Sequence, residues 1–290
     1  DQLVAVIVTN GVHDSTLSEF LYDAFGRRRI LREKTWQTNQ WVQIDETRYV
    51  YAGLLVLQER GADNRPRVTY TRGPDLSGGL DQAGGIGGLI AMSRHSAAGT
   101  DHFYYHADGS GNVTAILDAR NNVVARYRYD PFGNLQGLAG PLAEANRMRF
   151  SSKEFHSPSG LSYFGFRYYD PNLQRWINQD PIEENGGIGL YTYVGNAPTT
   201  AVDPDGRFWD TIWDVGNILY DGGKIAYGYI TENSSLIEEG QGDLVLDAAA
   251  ALIPFVPAGA TKALRGAGKM AKYLDNAAAK ADDALCSARR

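Results

Sequence analysis

The sequence is poor in several residue types that carry chemistry. It has one cysteine, Cys286, so no intramolecular disulfide framework and no cysteine-rich zinc cluster can form. Methionine occurs three times and histidine five, at His13, His95, His102, His106 and His156. His102 and His106 have the spacing of a helical metal pair but flank Phe103-Tyr104-Tyr105 in a strand-like run. On a strand they share a face about 13 Å apart, too far for one ion, so no metal or other cofactor is assigned. A net charge of −6 gives no electrostatic reason for nucleic-acid binding by the main body of the chain. No nucleophile elbow and no phosphate-loop motif occurs. The longest apolar run, Leu244 to Val256, carries Asp247 and Pro254 and falls short of the ~20 residues of a bilayer span. The chain starts at Asp1 with no initiator methionine, which we read as a piece of something longer.

Glycine (33) and tyrosine (17) are abundant. Both suit many short strands joined by tight turns. Asn10-Gly11 is a hairpin dipeptide after an apolar strand. Tyr22-Asp23-Ala24-Phe25-Gly26-Arg27 reads as strand, turn and return strand, and Tyr129-Asp130-Pro131-Phe132-Gly133-Asn134 repeats it. Trp36 and Trp41 flank a short polar turn, and Asp108-Gly109, Gly111-Asn112 and Asn121-Asn122 punctuate alternating strands. Self-similar units of this kind cannot bury their own faces and imply stacking. Residues 73–99 break the rhythm with paired glycines and read as a flexible surface loop between units.

From Tyr163 to Gly206 short aromatic runs alternate with Asp170-Pro171, Asp180-Pro181, Asn185-Gly186-Gly187, Asn196-Ala197-Pro198 and Asp203-Pro204-Asp205-Gly206. Proline fixes its own φ and biases the residue before it away from helix, so each Asp-Pro marks a turn or strand end. Asp180 and Asp203 lie 23 residues apart, each after a hydrophobic strand. Two readings follow from the spacing. Each aspartate caps its own turn, or a hairpin brings both carboxyls together, within about 6 Å, to share one proton as an acid/base pair on water.

The ordered pattern RYYDP…RW…DPI…GG…LYTYV.N.P…VDPDG resembles the Rhs repeat-associated core domain of bacterial Rhs and YD-repeat polymorphic toxins. The resemblance covers most of residues 20–206. It implies a mainly β fold of YD-repeat antiparallel hairpins forming part of a curved shell, followed by an α-helical C-terminal segment. Residues 1–145 would be shell strands, 146–206 the core domain, and 207–290 a variable helical pre-toxin segment. In such proteins the shell encloses a C-terminal toxin, and the core cuts it free by an aspartyl-protease-like reaction. The family's two aspartates fall on Asp180 and Asp203, and Arg167 is placed to orient them, to stabilise an oxyanion, or to act as an ion-pair partner. The sequence departs from the pattern at Gln174 and Glu183, where glycine is usual, and at Arg207, where leucine is common. Implied partners are the rest of the shell, the toxin, an immunity protein and secretion machinery, and the implied location is secreted or cell-surface. The alternative is a non-catalytic surface or adhesion YD-repeat protein, with the aspartates only shaping turns.

After Gly206 the pattern changes. Phe208, Ile212, Val215 and Leu219 have helical spacing, and an Ala-rich end carries Lys262, Arg265, Lys269 and Lys272. That basic face reads as solvated, with membrane contact the less favoured reading. Residues 207–290 contain no histidine, so they cannot alone house a histidine-dependent nuclease, and the effector domain is expected beyond Arg290 or absent. Residues 1–206 alone are expected to form an incomplete sheet with exposed edges that associates.

Overall fold

The protein is described by a computed structural model that covers residues 2–9, 15–186, 188–207 and 210–211. Among them there is no α-helix, only strands, turns and short 3-10 segments. The helical tail expected for residues 207–290, including the run from Leu244 and the basic end, lies outside the described residues apart from three positions. Arg207 closes a turn and Asp210–Thr211 is a strand, while Phe208 and the rest of the expected helix lie outside the described residues.

Eleven consecutive antiparallel strands form one sheet in chain order. They are β1 (Ala5–Thr9), β2 (Ser15–Tyr22), β3 (Arg28–Gln37), β4 (Gln40–Ala52), β5 (Leu55–Arg60) and β6 (Pro66–Arg72). Then come β7 (Leu89–Ser96), β8 (Gly99–Ala107), β9 (Val113–Asp118), β10 (Val123–Tyr129) and β11 (Leu135–Ala139). The turn at Asn10-Gly11 lies outside the described residues, while Thr9 and Ser15 pair on either side of it. At the β3–β4 tip, Thr38 and Asn39 both have positive φ, as a two-residue turn matching the sheet's twist requires. Trp36 and Trp41 face each other in register there, edge to face at 5.2 Å.

One turn design recurs through this sheet. At Asp23, Asp108, Asp118 and Asp130 the aspartate N–H bonds the carbonyl four residues on, and its carbonyl accepts an N–H from three residues on. In each, Oδ1 accepts the backbone N–H groups two and four residues later. Oδ2 is held by the side chain four residues on, Arg27, Asn112, Asn122 or Asn134. The residue at the third position is left-handed: Gly26, Gly111, Asn121 or Gly133. Glycine or asparagine there avoids the steric cost other side chains meet. At Gly133 the approach is also tight, since a Cβ would sit 2.6 Å from the Phe150 ring.

A second sheet of β12 (Glu154–His156), β13 (Leu161–Tyr163), β14 (Tyr168–Asp170) and β15 (Arg175–Trp176) packs on one face of the first. Period-two residues of the large sheet, among them Phe20, Leu31, Tyr49, Tyr70, Met92, Tyr105, Ile116 and Tyr127, form one buried cluster with Leu142, Met148, Leu161, Tyr163 and Tyr168. Another cluster, Phe150, Phe164, Tyr169, Trp176, Tyr193 and Val194, lies beneath the Asp-Pro turns. His102 and His106 lie on β8 and are exposed.

The glycine-rich stretch departs from its expected character. Strand β7 takes up Leu89–Ser96, and what remains is not a surface loop, because Asp75, Ala83 and Ile86 are buried. Asp75 organises it: Oδ2 accepts N–H bonds from Ala83 (2.8 Å) and Gly85 (3.0 Å), and Oδ1 accepts one from Ser77 (2.9 Å).

Candidate active site

The turn at Asp203 shares the Oδ1 acceptor and the left-handed glycine of the repeat turn but differs in its other bonds. Oδ1 accepts N–H bonds from Asp205, Gly206 (2.7 Å) and Arg207, and Gly206 takes the left-handed place at φ +87°. The side chain four residues on, Arg207, does not hold Oδ2. It turns instead to the Asp205 carboxylate at 2.6 Å and lies over the Phe166 ring. Oδ2 of Asp203 is thereby free to face Arg167. The turn joins β16 (Ala201–Val202) to β17 (Asp210–Thr211), so the chain beyond Gly206 folds back beside the strand that leads into Asp203.

Asp180 makes a shorter version of the same turn. Its Oδ1 accepts the Ile182 N–H at 3.0 Å, its carbonyl accepts the Glu183 N–H, and Glu183 is left-handed at φ 56°. Gln174, after Asp170-Pro171, is left-handed too at φ 55°. The two departures from glycine in the sequence therefore both fall on positions whose backbone favours glycine. Glu183 is exposed, so it does not crowd the site.

Arg167 brings the aspartates together. It leaves the 165–167 bend just before β14, and its guanidinium lies over the Trp176 ring at 4.3 Å. Nη1 is 2.8 Å from Asp180 Oδ2 and Nη2 is 3.4 Å from Asp203 Oδ2. Nε donates to the Gly206 carbonyl, and Nη1 also reaches the Leu190 carbonyl at 3.3 Å. All three side chains are buried, Asp203 at 1% exposure. One guanidinium thus bridges both sequence-predicted aspartates and the backbone carbonyl just past the second.

Burial pushes the Asp203 carboxyl up to about 7, against the pull of Arg167 and of the turn N–H groups and helped by the Asp205 charge. Burial raises Asp180 as well, with the Ile182 N–H and Arg167 opposing. A carboxyl raised in this direction suits acid/base chemistry near neutral pH.

Sequence reasoning missed two neighbours. Asp205 supplies the third negative charge, acting on both aspartates. Its place inside the DPDG turn was the available signal. Lys153 reaches the site from 51 residues away to bond the Pro204 carbonyl, and nothing in the local sequence marks it. Among the described residues no group of histidine, cysteine, aspartate and glutamate side chains is arranged to hold a metal ion.

Comparison with known proteins agrees with this turn grammar. The family model for the RHS Repeat matches residues 108–145, the stretch that holds the turns at Asp108, Asp118 and Asp130. The tRNA nuclease WapA of Bacillus subtilis is 31% identical over 229 residues, covering 77% of this chain and 9% of that protein. Double-stranded DNA deaminase toxin A of Burkholderia cenocepacia is 29% identical over 214 residues, 71% of this chain and 15% of its own length. The chain therefore spans only a small part of the relatives it matches. Among solved structures, the TcdB2-TccC3-Cdc42 crystal structure covers 70% of this chain and 10% of its own, at 23% identity and a TM-score of 0.54, a likeness of fold. Repeated aspartate-capped hairpins, matched by the repeat model and by toxins that carry the same stretch, identify the chain as a member of the Rhs, or YD-repeat, family.

Proposed function

We propose that this chain is part of an Rhs-type toxin-delivery protein, and that Asp180 and Asp203 release a C-terminal toxin by aspartyl-protease-like self-cleavage shortly after Gly206. In this reading residues 1–145 contribute strands to a β-shell around the toxin, and residues 146–206 form the core that closes it. The observation that carries the proposal is the single Arg167 guanidinium bonded to both carboxylates and to the Gly206 carbonyl. The ionised carboxylate takes a proton from water as the oxygen adds to the scissile carbonyl carbon. The protonated carboxyl, Asp203 near pH 7, gives its proton toward the carbonyl oxygen. With the Gly206 carbonyl as the one attacked, Arg167 Nε already touches its oxygen and polarises it for the addition. Collapse of the tetrahedral intermediate breaks the C–N bond: the carboxyl that took water's proton passes it to the leaving nitrogen, Asp203 takes back a proton from a hydroxyl of the intermediate, and a carboxylic acid and a free amine result. The toxin, its immunity protein, a component of the secretion machinery and the remaining shell are the partners this reading assigns. It also places the protein outside the cytoplasm, exported or on the cell surface.

The second reading is a non-catalytic surface or adhesion module. It is favoured by one observation: Asp180 and Asp203 cap their turns as the repeat aspartates do. Expression of the full chain beside Asp180→Asn and Asp203→Asn separates the two. Asparagine keeps the turn acceptor but cannot shuttle the proton. Self-cleavage predicts a fragment that begins shortly after Gly206 in the wild type and is lost in both variants. A folded wild-type chain that stays whole supports the scaffold reading instead.

A further inference from the structure

The Asp203 half of the site is braced by residues that take no part in the dyad. Lys153 lies just before β12 with its side chain buried, and its two partners are backbone carbonyls. Nζ is 2.8 Å from the Gly84 oxygen and 2.5 Å from the Pro204 oxygen. Pro204 is the second residue of the Asp203 turn, while Gly84 belongs to the glycine-rich loop between β6 and β7. Contact between loop and turn is close enough that a Cβ on Gly84 would overlap the Pro204 carbonyl, and Gly84 is left-handed at φ +62°. Asp75 fixes the loop through the N–H groups of Ala83 and Gly85, on either side of Gly84. A path of bonds therefore runs from Asp75 through the loop segment at Gly84 and through Lys153 to Pro204, beside Asp203.

The charge is unusually placed for a lysine. Burial, and then the nearby Arg72 cation, push the ammonium down to about 8, while Asp205, Asp203 and Asp75 pull it back. The same attraction favours the ionised form of Asp203. An unburdened hydrophobic side chain of similar length would remove the clamp and that attraction together.

We propose that Lys153 is a positioning residue for the aspartate pair, clamping the Asp203 turn onto the Gly84 carbonyl of the glycine-rich β6–β7 loop, so that cleavage competence requires that loop to be docked on the turn. The proposal rests on the self-cleavage reading above and assigns its regulation to a contact between the glycine-rich loop and the aspartate-bearing turn.

The test uses the full chain with Lys153→Met, Lys153→Arg and Gly84→Ala, beside Asp203→Asn. The rate of appearance of the fragment beginning shortly after Gly206 is followed across pH, and melting temperatures are taken in an uncut Asp180→Asn background. Lys153→Met is expected to slow cleavage about a hundredfold, the scale of a ~1 Å misplacement of a reacting group. It should also move the alkaline limb of the pH profile upward, because Asp203 without its cationic neighbour keeps its proton to higher pH. Lys153→Arg keeps the charge and both donors, so it recovers most of the rate with the limb near its wild-type position. Gly84→Ala displaces the turn without changing charge, so it slows cleavage and leaves the limb in place. Lys153→Met cutting at the wild-type rate, while Asp203→Asn does not cut, overturns the clamp and leaves the dyad standing. A slow Lys153→Met with an unmoved limb and a proportionate loss of melting temperature makes the lysine merely structural, and also overturns it. Asp203→Asn cutting as fast as wild type, or a wild type that is never cut, overturns the dyad reading and this proposal with it.

Discussion

Asp203 is buried in a place that disfavours its charge, so it should cost the fold stability at neutral pH. Its carboxyl titrates from 3.8 in an unperturbed setting to about 7 in the folded chain. The folded state then holds more protons than the unfolded state across that window. Stability from this group is present below the lower value and is lost as pH rises toward the upper one. We expect the melting temperature of an uncut Asp180→Asn chain to fall across this window more steeply than that of the same chain carrying Asp203→Asn. Equal slopes in a pH series of thermal melts would remove the assignment of a raised carboxyl to Asp203. Gln174 and Glu183 give a second prediction at the same scale. Both hold left-handed backbone that costs a side-chain-bearing residue about 1–2 kcal/mol, offset in part by the extra unfolded-state freedom of glycine. Gln174→Gly and Glu183→Gly should each stabilise by about 0.5–1 kcal/mol in urea unfolding. A loss of stability in both would mean their side chains make contacts that outweigh the strain.

The elements are joined by buried charge rather than by apolar contact alone. Arg28 of β3 and Glu154 of β12 form an ion pair with both side chains almost fully buried. Tyr49 donates to Glu154 at 2.7 Å, Arg28 donates to Tyr168 at 3.2 Å, and Arg147 lies 3.7 Å from Glu154 and 3.6 Å from Glu59. Removing one member leaves the other charged and unpaired. Glu154→Gln should therefore cost about 3–5 kcal/mol in denaturant unfolding, while the double change Arg28→Met, Glu154→Leu should cost less than that single one. A Glu154→Gln chain as stable as wild type would show that the pair contributes little to docking. None of this network was legible beforehand, because Arg28 and Glu154 are 126 residues apart and each sits in an ordinary charged stretch. The hairpins were legible, since alternating aromatics and Asp-x-x-Gly turns are local signals. The pairing of Asp180 with Asp203 came from family resemblance, and spacing alone left it open. Paired glycines suggested a flexible loop over residues 73–99, where the structure uses several of them for close approach to distant partners such as Pro204, which local sequence does not reveal.

At the scale of the whole molecule, the large sheet ends in two strands, β1 and β11, each paired on one side only among the described residues. An unpaired strand edge offers a row of N–H and C=O groups to any other strand, and natural sheets protect such edges with charge, proline or a covering segment. Strand β1 reads AVIVT, without charge or proline, and Ile7 is 58% exposed with Val4 beside it at 65%. In a longer parent chain the next repeat hairpin would cover that edge, as each internal strand here is covered by its neighbour. An edge that stays unpaired can recruit a second molecule. We expect the 290-residue chain, and residues 1–206 alone, to associate with rising concentration in light scattering. Ile7→Lys places a charge on the edge strand, so it should shift association to higher concentration without lowering unfolding free energy by more than about 0.5 kcal/mol, as for a surface substitution. Association unchanged by Ile7→Lys would move the contact to β11, where Leu135 is 41% exposed. A monodisperse chain that melts cooperatively at every concentration would show instead that this part of the sheet is complete without further strands.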